Sequence, residues 1–305
     1  MSGFVDLQVN GYYGVDFNSD DLTDEAILTA CRQMRSDGVT SFLPTIITDQ
    51  IDAMVRRIRR VADAAQSHAE IDQIVAGIHV EGPFISPEPG FVGAHPADCV
   101  REPTIELAEQ LVEAGGGRVR LLTLAPEMHG SVEVTRWLCD QSIVVAAGHC
   151  DASIAQLRQA IDAGLSMFTH LGNGCPGQMH RHDNIVQRVL SLSDHLKISF
   201  IADGHHVPWF ALGNYLKCVP EQNIVIVTDA IGAAGLGPGF YRLAGQMVEV
   251  DQHLAAWAEG HQHFAGCATT MPQMAEMLAS RLGIDAERID RWTRINPMEL
   301  LKTGP

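Results

Sequence analysis

No Cys-x-x-Cys pair occurs in this 305-residue chain, although it holds seven cysteines, at positions 31, 99, 139, 150, 175, 218 and 267. Their odd number, and the apolar stretches around most of them, point to buried thiols in a reducing compartment. Basic residues are scarce: 21 Lys and Arg against 37 Asp and Glu leave a formal net charge of −16. Such a balance excludes the basic face that a nucleic-acid binder needs. A small anionic substrate stays open, because two or three local cations suffice for one phosphate. No apolar run is long enough to span a bilayer, so no membrane association is expected. A strand pattern already begins at Phe4, which leaves no room for a signal peptide and makes a cytoplasmic location the expectation. Internal repeats, low-complexity tracts and interdomain linkers are missing too, so residues 1–305 are expected to form a single catalytic domain.

What is present is alternation. β-branched apolar runs at Phe4–Gly11, Ser41–Ile47, Val75–Gly82, Val119–Pro126, Ile143–His149, Met167–Leu171, Lys197–Asp203 and Asn223–Asp229 predict strands. Helical patterns such as Thr23–Ser36, Ile51–Gln66, Thr104–Ala114, Ala152–Ala163 and Asn184–Ser193 fall between them, and a last helix is expected at 287–301. Near-continuous apolar strands are those of a parallel sheet buried on both faces. Eight strand–helix units in series predict a closed (β/α)₈ TIM barrel. Two connections exceed ordinary turns, 83–103 and 231–267, the second with an alternating run at Tyr241–Val250 that predicts a hairpin. Both follow strands and so belong to the face where barrel enzymes carry their chemistry.

Ionisable residues gather at the same ends of these strands. Glu81, His149, His170 and Asp229 stand at or near the C-terminal ends of strands three, five, six and eight. One histidine after an apolar run is ordinarily part of a hydrogen-bonded core, but four such groups at one barrel mouth converge on one site. Two imidazoles and a carboxylate form a three-ligand set for Zn²⁺ with a fourth position open to water. A metal so held activates water near neutral pH. Asp229 then serves either as the acid/base that takes and returns the proton or as a further ligand.

The ordered motifs resemble the N-acetylglucosamine-6-phosphate deacetylases of the amidohydrolase superfamily. They comprise Asp6-Leu-Gln-Val-Asn-Gly11, Leu43-Pro-Thr45, His79-Val-Glu-Gly-Pro-Phe84, Gly93-Ala-His95, Thr123-Leu-Ala-Pro-Glu127, Gly148-His149, Thr169-His-Leu-Gly-Asn173, Ala202-Asp-Gly-His-His-Val207, Thr228-Asp-Ala230 and Ala265-Gly266. The resemblance implies Glu81, His149 and His170 as metal ligands and Asp229 as acid/base. It further implies that His95 contacts the substrate near its acetamido group and that Asn173, Gly174 and His206 bind the sugar phosphate. Phe264, Ala265 and Gly266 correspond to a substrate-contacting turn. Arg181 has the spacing of a phosphate-binding arginine lent across a dimer interface, which would make the functional unit a homodimer.

Three departures qualify the resemblance. Where the superfamily often has His-x-His on strand one, this chain has Gln8 and Asn10, weak Zn²⁺ ligands that imply one divalent metal per subunit and a supporting or pocket-lining role for the pair. The small β-sandwich built from both chain ends in typical members is expected to be missing. Cys267 stands where a serine commonly follows Ala-Gly, and the Gly172–His182 loop is peculiar. The expected reaction is hydrolysis of the acetamide of N-acetylglucosamine 6-phosphate. The competing readings are another N-acyl sugar or N-acyl amino acid as substrate, and a non-catalytic sugar-phosphate sensor on the same barrel.

Overall fold

The computed structural model describes residues 3–243, 246–258 and 264–302. Eight parallel strands form one sheet in chain order: β1 (Phe4–Val9), β2 (Val39–Ile47), β3 (Ile78–Glu81), β4 (Val119–Leu124), β5 (Val144–Ala147), β6 (Met167–Phe168), β7 (Lys197–Ile201) and β8 (Ile224–Val227). Each pairs in parallel with the next. The seam from β8 back to β1 closes just past the strand ends. There the Asp229 amide donates to Gln8 O at 2.9 Å and the Asn10 amide to Ala230 O at 2.8 Å. The result is the expected (β/α)₈ barrel.

Eight helices follow the strands: α1 (Asp24–Ser36), α2 (Ile51–Ser67), α3 (Ile105–Ala114), α4 (Ser131–Asp140), α5 (Ile154–Asp162), α6 (Ile185–Leu190), α7 (Trp209–Cys218) and α8 (Met271–Leu282). Several starts are written in the sequence as side-chain caps. Thr23, Thr104 and Asn184 each accept a backbone N–H three residues on. Ser153 with Gln156 and Thr270 with Gln273 complete capping boxes. β5 and β8 are buried at every position, and their side chains join the core between barrel and helices.

Two elements and the burial of the cysteines differ from expectation. The predicted hairpin is half of a four-stranded antiparallel sheet made of β9 (Gly239–Leu243), β10 (Gln246–Val250), β11 (Ala255–Ala258) and β12 (Phe264–Cys267). Ala244 and Gly245, inside that predicted hairpin, lie outside the described residues. The last helix is three pieces, with a π-helical turn at Arg291–Ile295 between Ala286–Asp290 and Asn296–Lys302. That turn buries Trp292, and the Asn296 amide donates to Ile224 O at the start of β8. The thiols are all unpaired, but only four are buried, while Cys139 and Cys175 are half-buried and Cys218 is exposed.

Candidate active site

β3 ends on Glu81, while His149, His170 and Asp229 each sit two residues beyond β5, β6 and β8. The last three all adopt left-handed backbone, with φ of 50°, 32° and 51°. Such φ values are uncommon away from glycine; here three strands turn this way and bring their side chains over the same barrel mouth. Around His149 the chain leaves room with glycine. A Cβ on Gly174 would lie 2.8 Å from His149 Nδ1, and one on Gly93 3.0 Å from His149 Cε1.

Glu81 is the hub. Its Oε1 accepts from Gln8 Nε2 at 2.9 Å and lies 3.0 Å from His170 Nε2 and 3.4 Å from His149 Nε2. Burial would push its carboxyl up, but the two imidazoles outweigh that and hold it well below the usual range. His149 Nδ1 lies 2.8 Å from Phe91 O, an oxygen that can only accept, so Nδ1 carries a proton and Nε2 is the nitrogen turned toward Glu81. Glu81 Oε1 and His149 Nε2, 3.4 Å apart, thus turn toward the same space. With His170 they form a donor set suited to a divalent metal, and the Phe91 carbonyl is the outer partner that orients a ligating imidazole. His170 Nδ1 is buried without such a partner among the described residues.

His95 reaches the same place: ligand atoms of Glu81, His95 and His149 lie within 4.8 Å of one another. Its tautomer argues for a different task. The Thr48 amide, a fixed donor, points at His95 Nδ1 from 3.3 Å, and the Thr48 hydroxyl lies 2.9 Å from the same nitrogen. Burial, then the neighbouring His149, depresses His95 to about 3, so the ring is neutral. With Nδ1 accepting, the proton sits on Nε2, which can donate to a carbonyl oxygen but not ligate a metal.

Asp229 is half-buried, open to the mouth yet surrounded by protein. Burial first, and then the charge of Glu81, raises its pKa. The Asn10 amide donates to its Oδ1 at 2.6 Å. Gln8 and Asn10 thus each hold one carboxylate of the site. Their carbonyl oxygens are buried with no partner among the described residues.

Asn173 and Gly174 lie three and four residues after His170, with the Asn173 backbone amide donating back to His170 O at 2.9 Å. His206 lies opposite, its Nδ1 2.6 Å from Asp203 Oδ2 and its ring 5.4 Å from that of Phe264 on β12, where Ala265 and Gly266 continue the wall. His205 is turned away, its Nε2 2.8 Å from His253 O. Arg181 is exposed and makes no hydrogen bond or ion pair among the described residues. Sequence reasoning passed over Asp203, although the strand-end rule that selects Asp229 selects it equally. It also passed over His79, whose ring bridges Thr45 and Thr123 beneath Glu81 and is held neutral by burial, at about 4.

The sequence pattern of the amidohydrolase family matches residues 1–303. The chain belongs to the amidohydrolase family. Among its relatives, the N-acetylglucosamine-6-phosphate deacetylase of Bos taurus is 34% identical over 98% of this chain and 73% of its own length. The N-acetylgalactosamine-6-phosphate deacetylase of Escherichia coli O157:H7 is 30% identical over 98% of this chain and 77% of its own. The N-acetyl-D-glucosamine-6-phosphate deacetylase of Mycobacterium smegmatis, solved with N-acetyl-D-glucosamine-6-phosphate, superposes with a TM-score of 0.87 at 28% identity, over 99% of this chain and 77% of that one. The chain thus spans about three-quarters of the length of these relatives.

Proposed function

We propose that this amidohydrolase cleaves the acetamide of N-acetylglucosamine 6-phosphate, releasing acetate and glucosamine 6-phosphate. The observation that carries the reading is the convergence of Glu81, His149 and His170 on one carboxylate oxygen, with Asp229 at the same mouth. Those three residues would hold a single divalent ion, which we assign as Zn²⁺. When bound, such an ion polarises the acyl oxygen and activates water.

The chain's own groups do the rest. Asp229, its Oδ1 tethered by Asn10, takes a proton from the attacking water and returns it to the amine nitrogen as the C–N bond breaks. A carboxyl raised by burial suits a group that must both accept and release that proton. His95 Nε2–H donates to the carbonyl oxygen as negative charge builds on it. Asn173, Gly174, His206 and the Phe264–Gly266 wall would hold the sugar, and Arg181 of a second copy would hold its phosphate in a homodimer. The barrel with its small sheet is the catalytic unit in this reading. A cytoplasmic location accords with seven unpaired thiols and with the lack, among the described residues, of any helix long and apolar enough to cross a membrane.

Acetate release from N-acetylglucosamine 6-phosphate, measured with metal content on the same sample, tests the proposal. A metal-loaded chain that releases none overturns it. The galacto epimer is the second reading, favoured by the Escherichia coli relative. A higher kcat/KM on N-acetylgalactosamine 6-phosphate would establish it instead.

A further inference from the structure

A second set of metal-binding side chains lies in the wall of the same mouth. Asp203 follows β7, His206 lies in the bend before α7, and Cys267 ends β12, which returns beside β8 so that Ile231 donates its amide to Cys267 O at 3.0 Å. One ligand atom of each residue lies within 4.8 Å of the other two. Asp203 and Cys267 are buried, and the His206 side chain is only 13% exposed. We propose that Asp203, His206 and Cys267 bind a second, thiophilic divalent cation when metal is in excess, and that its binding blocks the substrate wall.

The donor chemistry supports this. Carboxylate, imidazole and thiolate are all ligands of Zn²⁺, and of the softer Cd²⁺ and the similar Co²⁺ that probe such sites. One carboxylate and one thiolate balance a dication, so a buried site of this composition carries no uncompensated charge. Donor separations up to 4.8 Å exceed the roughly 3.5 Å edges of a tetrahedron with Zn–N near 2.0 Å and Zn–S near 2.3 Å, so closure takes about an ångström of side-chain movement.

Asp203 is already set for the task. Its Oδ1 accepts the amides of His205 at 2.9 Å and His206 at 3.0 Å, which holds the carboxylate still. Oδ2 faces His206 Nδ1 at 2.6 Å, where a cation takes the place of the shared proton. The Cys267 thiol makes a long 3.7 Å contact to Thr269 O, a weak bond to give up. This cluster shares no residue with Glu81, His149 and His170. Because closing the donors around a cation shifts the His206 ring by about an ångström, the second cation acts as a substrate-competitive inhibitor, a consequence that rests on the function proposed above. Cation binding itself does not.

Cobalt separates the two centres, since only the second contains sulfur. Titration of the metal-free chain with Co²⁺ is expected to fill the first centre with weak visible bands. A second equivalent then raises an intense near-ultraviolet sulfur-to-cobalt charge-transfer band. In Cys267→Ser that band disappears and binding stops at one Co²⁺ per chain, and in Asp203→Asn the second equivalent binds at least tenfold more weakly. A thermal melt and retention of the first equivalent check that each variant is folded. Cadmium NMR of the wild-type chain reads the same ligands without a mutation. A charge-transfer band that survives in Cys267→Ser overturns the proposal. So does a wild-type chain that stops at one equivalent, or a second cadmium resonance typical of nitrogen and oxygen ligands alone. None of these readouts needs turnover, so the site fails or stands independently of the deacetylase assignment.

Discussion

His95 and His149 stack edge to face with ring centroids 4.4 Å apart, yet they present opposite faces of imidazole chemistry to the site. His149 gives its Nδ1 proton to Phe91 O, and His95 takes the Thr48 amide at Nδ1. Their asparagine variants should therefore fail differently. His149→Asn should lose tight metal binding and activity together. His95→Asn should keep its metal and lose about 10²–10³-fold in kcat, the cost typical of one donor to a developing oxyanion. Metal analysis beside kinetics distinguishes them, and a His95→Asn protein that loses its metal would place His95 among the ligands. Asp229→Asn should likewise hold its metal while turnover falls about 10²–10⁴-fold; unchanged turnover would remove Asp229 from the proton path. That the four ionisable residues meet was legible from their strand-end positions. Which ring nitrogen each histidine offers was not, because that depends on carbonyls and amides from loops distant in sequence.

Strands and capped helices were legible at the scale of elements because buried parallel strands are apolar throughout and caps need particular side chains. The sheet from β9 to β12 was only half legible, since β11 is mostly alanine and β12 carries Gly266, with neither showing the alternation of a half-buried strand. Nor does composition reveal the seam between β8 and β1. There Asp6 is buried, accepting from the Thr228 amide at 3.2 Å and the Thr228 hydroxyl at 2.6 Å. Burial raises its carboxyl to about 7, against a value near 4 in the unfolded chain. The folded state thus keeps a proton that the unfolded chain releases first. This contribution is complete below about pH 4 and is lost as pH rises through about 7, with a slope of at most about 1.4 kcal/mol per pH unit. Asp6→Asn should remove that slope. Urea melts of both proteins across this window would refute the account if the two stability curves ran parallel.

For the whole molecule, the proposed metal centre is a clamp between parts of the barrel that are far apart in the chain. Glu81 comes from β3, His149 follows β5 and His170 follows β6, while the Gln8 amide ties Glu81 to β1. An ion on these residues binds the folded barrel and not the unfolded chain, so it stabilises by mass action. At a free concentration about a thousandfold above Kd the gain is about 4 kcal/mol, which for a chain of this length corresponds to roughly 6 °C in Tm. Below the site, the polar layer of Thr45, His79, Thr123 and Thr169 is satisfied by its own hydrogen bonds, and the apolar core continues beneath it. Chelation should therefore lower Tm by several degrees without unfolding the barrel at ordinary temperature. Returning Zn²⁺ to one equivalent should restore it, and Glu81→Gln should show neither the loss nor the recovery. Scanning calorimetry with parallel metal analysis makes the measurement. A metal-loaded wild-type protein whose Tm is unmoved by removal of that metal would show that the ion does not bridge these strands.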